Sequence, residues 1–463
     1  MRASKIFVNL FFCAVFSTAG AQYTVLHNFG SIPNDGKSPF GSLTLSGKVL
    51  YGMTRYGGTH NYGCVFSIDT TGNGYKDLHD FDSVSGSQPF GSLTYISGIL
   101  YGMTCYGGAN NYGCVFRIDT NGNGYSDIQD FNDTNGEYPD GGLTFYKGRL
   151  YGMTFAGGVN NYGCIFSIDT NGTGFKKVLD FNGTNGVNPP GSLVYSQGTL
   201  YGMTLDGGAN GNIFSVDTNG NKSKDMYDFP FYFDGTGPSG SLTLAGGVLY
   251  GMRNAGILHS SNIFSIDTNG NSYRDLDDLN YSGGSSPLGS LTNYRGVLYG
   301  MTSAGGGLNG AGAIFSIDTT GYGYKNLFVF TFPNGASPRG DLTLSRNMLY
   351  GMTNLGGIDS DGVIFKFSVD TNLATGVAEL SKSSSTVVLF PNPSNGKFTV
   401  SLQGVSEKTQ ITVFNILGEQ VYQASLNTTN TQIDLSDKAD GIYMYRVVTE
   451  TGSLVSQGKF VKQ

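Results

Sequence analysis

Six charged residues interrupt an otherwise monotonous chain: Asp140, Asp206, Arg253, Arg339, Asp341 and Asp361. Two carboxylates brought to one cleft would supply the acid and base of glycoside hydrolysis. Sequence order alone brings no two of them together, and Asp and Arg are mostly solvated at surfaces. Catalytic signals are otherwise thin. Of the four histidines, His27, His60, His79 and His259, the first and third occupy the same repeat position and read as structural; no nucleophile elbow, phosphate loop or zinc spacing is present. Asp119-Thr-Asn-Gly-Asn-Gly124, with Asp130 twelfth, imitates a calcium loop. Asn-Gly between two strand-like runs is, however, the strongest hairpin signal, so a turn is expected. No cofactor is expected, with calcium at most an accessory ion. Three Asn-Tyr pairs, Asn61-Tyr62, Asn111-Tyr112 and Asn161-Tyr162, are the candidate ligand-binding residues, since their rings and hydroxyls could stack on and hydrogen-bond a sugar or peptide. The competing expectation is that these rings pack on their own Gly-Gly loops. Cys64, Cys114 and Cys164 are equivalent residues, whereas Cys105 stands alone and could face Cys114 across a hairpin.

These residues hang on a repeat. Leu-Tyr-Gly-Met occurs seven times, beginning at Leu50, Leu100, Leu150, Leu200, Leu249, Leu298 and Leu349, at spacings of 49 to 51. Each unit of about fifty residues carries four strand-length runs, in the first unit Gly41–Leu45, Val49–Thr54, Cys64–Asp69 and Tyr75–Phe81. That pattern predicts an all-β, seven-bladed β-propeller. With 72 glycines, no tryptophan and 13% charged residues, the core must come from Leu, Ile, Val, Phe and Tyr packed blade against blade. The fourth run is missing from the seventh unit, while Tyr23-Thr-Val-Leu-His-Asn-Phe29 matches it ahead of the first. The N-terminal strand is therefore expected to complete the last blade and close the ring. Short turns trim one face of the disc. The other face gathers the longer loops, such as Arg55–Gly63 and the crossing Asp82–Phe90, where function on such a scaffold is expected.

Residues 1–21 read as a secretory signal peptide: Arg2 and Lys5, an apolar stretch from Ile6 to Phe16, and Ala19-Gly-Ala21 for cleavage. The propeller takes 22–371, and 372–386 has linker composition. Residues 387–463 hold about seven alternating runs, which argues a small Ig-like β-sandwich. No membrane-spanning segment is expected in the mature chain. A net charge of −7 without a basic cluster argues against nucleic acid as a partner.

Phe390-Pro-Asn-Pro-Ser-Asn-Gly396, Val413-Phe-Asn-Ile-Leu-Gly418, Ala439-Asp-Gly-Ile-Tyr443 and Gly458-Lys-Phe-Val-Lys-Gln463 resemble the C-terminal sorting domain (type A) of the type IX secretion system of Bacteroidota. The resemblance implies the type IX machinery as a partner, export through the periplasm and across the outer membrane, removal of the domain, and release or attachment at the cell surface. Leu-Tyr-Gly, Gly57-Gly58, Val65-Phe66 and the Leu78–Phe81 ending resemble the GloVer tandem repeat over Gln22 to about Thr371, which implies fold and no established activity. The expected function is a non-enzymatic secreted or surface-attached propeller binding glycan or protein through its long-loop face. A polysaccharide-degrading enzyme and a structural surface-layer component are the alternatives.

A chain lacking residues 387–463 is expected to cross the inner membrane and remain, folded, in the periplasm. Cell fractionation checks this, and normal surface arrival of the truncated chain would place the address in the propeller.

Overall fold

The computed structural model describes residues 22–208, 210–230, 237–254, 261–307, 310–369, 386–403, 408–415, 420–426, 428, 430–449 and 454–463. The expected signal peptide and almost all of the expected linker lie outside the described residues. The chain divides into two compact units, residues 1–369 and 370–463.

In the first unit seven four-stranded antiparallel sheets are arranged as blades. The first blade runs outward through Thr44–Ser46, Val49–Thr54, Cys64–Asp69 and Lys76–Asp80. The short innermost strands contact one another around the axis, that of the seventh blade (Thr343–Ser345) meeting that of the first. The repeat motif explains itself at this level. Leu50 and Tyr51 point to opposite faces of the sheet, as strand geometry requires, and bury against the two neighbouring blades. Gly52 leaves room for the ring of Phe66 on the next strand, whose Cζ would stand 2.4 Å from a Cβ there. Met53 joins the same cluster as Tyr51. Thr54 closes the blade: its hydroxyl donates to the Tyr56 carbonyl and accepts from the Cys64 N–H, pinning both ends of the long loop.

Each seam between blades is one apolar cluster. Tyr51, Met53, Val65, Leu78 and Phe81 of the first blade pack on Leu93, Leu100, Phe116 and Ile118 of the second, and equivalent residues fill the other seams. Aromatic stacking finishes the rim. His79 lies on Tyr125 at 3.8 Å, His27 on Tyr75 at 3.8 Å and Tyr227 on Tyr273 at 3.9 Å. The two repeat-equivalent histidines are thus wall material, as their shared position implies.

The ring closes as expected. Tyr23–Asn28 pairs antiparallel with Val363–Ser368 in the register Tyr23↔Phe367 to Asn28↔Val363. The Tyr23 ring stacks on Phe328 at 4.0 Å, its hydroxyl donates to the Asn334 carbonyl at 2.6 Å, and Phe29 is fully buried in the seam with the first blade.

The second unit is a two-sheet sandwich. Thr386–Phe390, Lys397–Gln403 and Asn430–Asp434 form one sheet; Gln420–Leu426, Thr409–Phe414, Gly441–Thr449 and Leu454–Lys462 form the other. Phe398, Val400, Ile411, Val413, Ile433, Val447 and Phe460 make its core. Thr386 already belongs to the first strand rather than to the linker.

Burying a large apolar side chain is worth about 1.5–3 kcal/mol. Removing Tyr23, Val25, Leu26 and Phe29 should therefore cost on the order of 5 kcal/mol or more, a large part of the 5–15 kcal/mol typical of a folded domain. Deletion of residues 22–29 is expected to lower the propeller's melting temperature far more than deletion of 387–463, as calorimetry of the two truncated chains would show. Equal losses would refute the closure.

Candidate functional site

The axis is built from the segment that opens each blade. Gly41, Gly91, Gly141, Gly191, Gly240, Gly289 and Gly340 stand so close that a Cβ on each would lie 1.9–2.5 Å from the next glycine's carbonyl oxygen, the last closing on Gly41. One residue further on, backbone N–H groups donate to the neighbouring blade's side chain: Ser42 to Ser92 Oγ (2.8 Å), Gly142 to Ser192 (2.7 Å), Ser192 to Ser241 (2.7 Å), Ser241 to Ser290 (2.8 Å), Ser290 to Asp341 Oδ1, and Asp341 to Ser42 (2.6 Å). The girdle is broken only where Gly142 offers no acceptor to Ser92. A second girdle runs from threonine hydroxyls to leucine carbonyls, Thr44 to Leu93 and onward to Thr343 to Leu43, interrupted at Val194. Backbone polar groups at the axis are thus satisfied blade to blade.

One residue before the glycine, the repeat loses its uniformity. Phe40, Phe90, Asp140, Pro190, Ser239, Leu288 and Arg339 surround the mouth of a cavity of about 260 Å³ on the long-loop side, floored by the serines and Asp341. Three of the six repeat-breaking charges, Asp140, Arg339 and Asp341, therefore meet. The other three lie elsewhere. Asp206 is tied into the bridge with Val187, Arg253 is buried over the Phe229 ring at 5.5 Å and donates to the Pro230 carbonyl, and Asp361 pairs with Lys37 at 2.9 Å.

Arg55, in the long loop of the first blade, lies over two of the rings at the mouth. Its guanidinium lies 5.0 Å over Phe40 and 4.5 Å over Phe90, while Arg339 lies 4.3 Å over Phe40. Burial and the Arg55 charge pull the Arg339 pKa down. Burial raises the Asp140 carboxyl to about 6 against the opposing pull of the Cys105 thiol, 3.5 Å away, and of Arg55. Burial likewise raises Asp341, opposed by the Ser290 N–H and by the hydroxyls of Ser290 and Ser42.

The Asn-Tyr pairs divide. Asn61, Asn111 and Asn161 adopt positive φ of 60°, 62° and 58°, and their side-chain oxygens accept from Gly57, Gly107 and Gly157 N–H. They are loop-closing residues. Tyr62 and Tyr162 present rings 39% and 41% exposed, whereas Tyr112 packs edge-on to Tyr138 at 5.9 Å. Their carbonyls anchor the next inter-blade crossing, accepting from Gln88, Tyr138 and Asn188.

Cys105 and Cys114 do not face each other. Cys114 pairs with Thr104, so Cys105 projects from the opposite face toward Asp140 while Cys114 lies against the Thr104 hydroxyl at 3.3 Å; both are free, buried thiols. In the calcium-like segment, Asp119 accepts the N–H groups of Asn121 and Asn123 as the cap of a hairpin turn. Asp130 pairs with Cys114 at the other end of the same strand, away from Asp119. One ion cannot take both.

A second polar group recurs in the seams. Cys64 Sγ and one oxygen each of Asp77 and Asp80 lie within 4.8 Å of one another. The second and third blades carry Cys114, Asp127 and Asp130, and Cys164, Lys177 and Asp180, where Lys177 donates to Asp180 at 3.0 Å. Lysine thus stands in the third blade where the first two carry a second carboxyl, whose ionisation burial disfavours. Burial, then the hydrogen bond and charge of Asp80, push Asp77 up to about 8, and burial with Asp130 pushes Asp127 to about 7.

A seven-bladed propeller of one repeat with an asymmetric axial mouth, followed by a separate sandwich, is the class of protein this architecture defines. The Gloeobacter/Verrucomicrobia repeat matches residues 13–161, 135–306 and 259–408, and the chain belongs to that repeat family. Residues 388–463 match the secretion system C-terminal sorting domain, which marks the chain for type IX export to the cell surface or beyond. No helix among the described residues is long and apolar enough to cross a membrane. No curated protein matches the chain. Among solved structures, the extracellular domain of BT4673 from B. thetaiotaomicron is similar at 13% identity and TM-score 0.51, over 96% of this chain and 59% of that one. An oligogalacturonate lyase of Vibrio parahaemolyticus is similar at 10% identity and TM-score 0.51, over 77% and 96%. PorZ, an essential surface component of the type IX secretion system of Porphyromonas gingivalis, is similar at 13% identity and TM-score 0.45, over 93% and 60%. The chain thus spans about 60% of the length of two of these three.

Arg55, Phe40 and Phe90 were not among the sequence candidates. For the two phenylalanines the available signal was the column before the axial glycine, the most variable beside the most constant.

An aspartate protonated in the fold but ionised when unfolded, with an ordinary pKa near 3.9, contributes stability that is complete below about pH 4. That stability is lost as pH rises through the folded value. Thermal melts are accordingly expected to fall between about pH 4 and 8, and an Asp77→Asn/Asp127→Asn variant to melt with a shallower pH slope. Identical slopes would exclude raised pKa values at these two carboxyls.

Proposed function

We propose that the exported propeller is a non-catalytic binding module whose ligand, a glycan, enters the axial mouth of the long-loop face. The observation that carries this is the confinement of asymmetry. The axial columns are glycine, serine, leucine and threonine nearly throughout, whereas Asp140 and Arg339 from the variable column and Asp341 from the serine column open on one cavity with Phe40 and Phe90. Half-buried aromatic rings beside hydroxyls suit a sugar, whose C–H face stacks while its hydroxyls hydrogen-bond.

The enzyme alternative draws support from the raised carboxyls of Asp140 and Asp341 at that cavity. A glycosidase pair needs two available carboxyl groups, and Asp341 instead holds the girdle by accepting the Ser290 N–H. That leaves one acid without a partner, which favours binding. A structural role in a surface layer has no comparable observation behind it.

The chain from residue 22 onward, applied to a glycan array, is expected to retain a subset of glycans without releasing products. Phe40→Ala and Phe90→Ala should each weaken that binding about tenfold, the loss of roughly 1.4 kcal/mol. Turnover of a retained glycan, or binding that depends on Tyr62 and Tyr162 and ignores Phe40, would overturn this reading.

A further inference from the structure

We infer that the group recognised at the axial mouth is the carboxylate of an acidic sugar, held between Arg55 and Arg339; this rests on the reading of the mouth as the binding site. Two guanidiniums share the single ring of Phe40, at 5.0 and 4.3 Å from its centre. Neither forms an ion pair among the described residues. The ion pairs among the described residues engage Lys37, Arg149, Lys177, Lys397, Lys438, Lys462 and His27, and neither of these two arginines. Arg55 gives its Nε to the side-chain oxygen of Gln88 at 3.2 Å, and Arg339 keeps a buried Nε with no partner at all. Like charges brought together in a half-buried site repel, and an anion between them relieves both the repulsion and the missing hydrogen bond. The concentration of positive charge is local, since the whole chain carries −7.

The forked guanidinium suits carboxylate and phosphate alike. The acids at the same cavity separate the two. A phosphate near its second ionisation would face Asp140 and Asp341 with up to two negative charges, whereas a carboxylate brings one. The rest of the mouth selects a sugar over an acidic peptide. An extended peptide binds by pairing with unmet backbone groups, and the axial N–H groups of Ser42, Ser192, Ser241 and Ser290 are already spent on the girdle. The hydroxyls of Ser92, Ser192 and Ser241 accept girdle bonds and have protons left to donate, and the Phe40 and Phe90 rings, 4.9 Å apart, offer the apolar surface.

Titration calorimetry on the full chain from residue 22 tests this with four probes: an oligoglucuronate, its carboxyl-reduced neutral counterpart, hexaglutamate and inorganic phosphate. The oligoglucuronate should bind at least tenfold more tightly than the neutral form, with an affinity that falls as salt rises. Arg55→Gln and Arg339→Gln should each erase most of that difference, weakening the acidic form far more than the neutral one. Asp140→Asn should tighten the acidic ligand severalfold at pH 7. Arg339→Lys, which keeps charge and volume, should retain part of the affinity, and thermal melts of every variant separate lost binding from lost folding. Equal binding of acidic and neutral forms, dependent on Phe40 and indifferent to both arginines, overturns the carboxylate and spares the binding module. Preference for hexaglutamate overturns the sugar, and competition by phosphate at equal concentration overturns the carboxylate. Binding of none of the saccharides at the mouth overturns the binding module itself.

Discussion

Seven glycines touching around one axis set the terms for everything else in this propeller. A Cβ on any of Gly41, Gly91, Gly141, Gly191, Gly240, Gly289 or Gly340 would fall within 1.9–2.5 Å of the neighbouring carbonyl oxygen, far inside any tolerable contact. The approach fixes the radius of the ring, and the radius fixes how many blades fit. It also brings the next residues close enough for main-chain N–H groups to reach the adjacent blade's serine, so the girdle is a consequence of the glycines and not an independent device. The seams follow from the same spacing: Phe66 can cross its own blade only because Gly52 yields, and its far side then meets Phe29 of the neighbouring blade.

Such a constraint decides where variation is permitted. The glycine column cannot change, and the serine column keeps a side-chain acceptor in six of seven blades, Asp341 supplying it to Ser290 and Gly142 alone lacking one. The column before the glycine carries no such duty, because its side chains point into the mouth and bond nothing in the neighbouring blade's backbone. Phe, Phe, Asp, Pro, Ser, Leu and Arg are therefore tolerated there in succession. Symmetry builds the scaffold, and the column from which a ligand at the axis would be seen is free to depart from it.

Repeat number, strand count per blade, the displaced seventh outer strand and the terminal sandwich were all legible in the sequence, because each is a statement about periodicity and periodicity is one-dimensional. The convergence of Asp140, Arg339 and Asp341 was not. It depends on which column faces the axis, and that is fixed by inter-blade contacts about fifty residues apart. The asparagines at 61, 111 and 161 looked like ligand groups because Asn-Tyr recurs, yet Asn recurs there to supply a left-handed turn and an acceptor for Gly57, Gly107 and Gly157. Cys105 and Cys114 were paired in expectation by their place around one loop; alternation along the strands sends their sulfurs to opposite faces. Arg55 sits in the long loop of the first blade, where nothing marks it until Phe40 and Phe90 are seen beneath it.

The closing strand also orders events in time. Tyr23–Asn28 is made early, but its partner Val363–Ser368 comes at the far end of the ring, and contacts that span over three hundred residues form late and slowly. A polypeptide broken anywhere between them retains two open sheet edges, the kind of surface that aggregates or is degraded. The sorting sandwich begins downstream of that partner strand. Any molecule carrying the export address therefore already contains every strand the ring needs, so the order of the elements along the chain works as an inspection: incomplete products lack the label that would send them out.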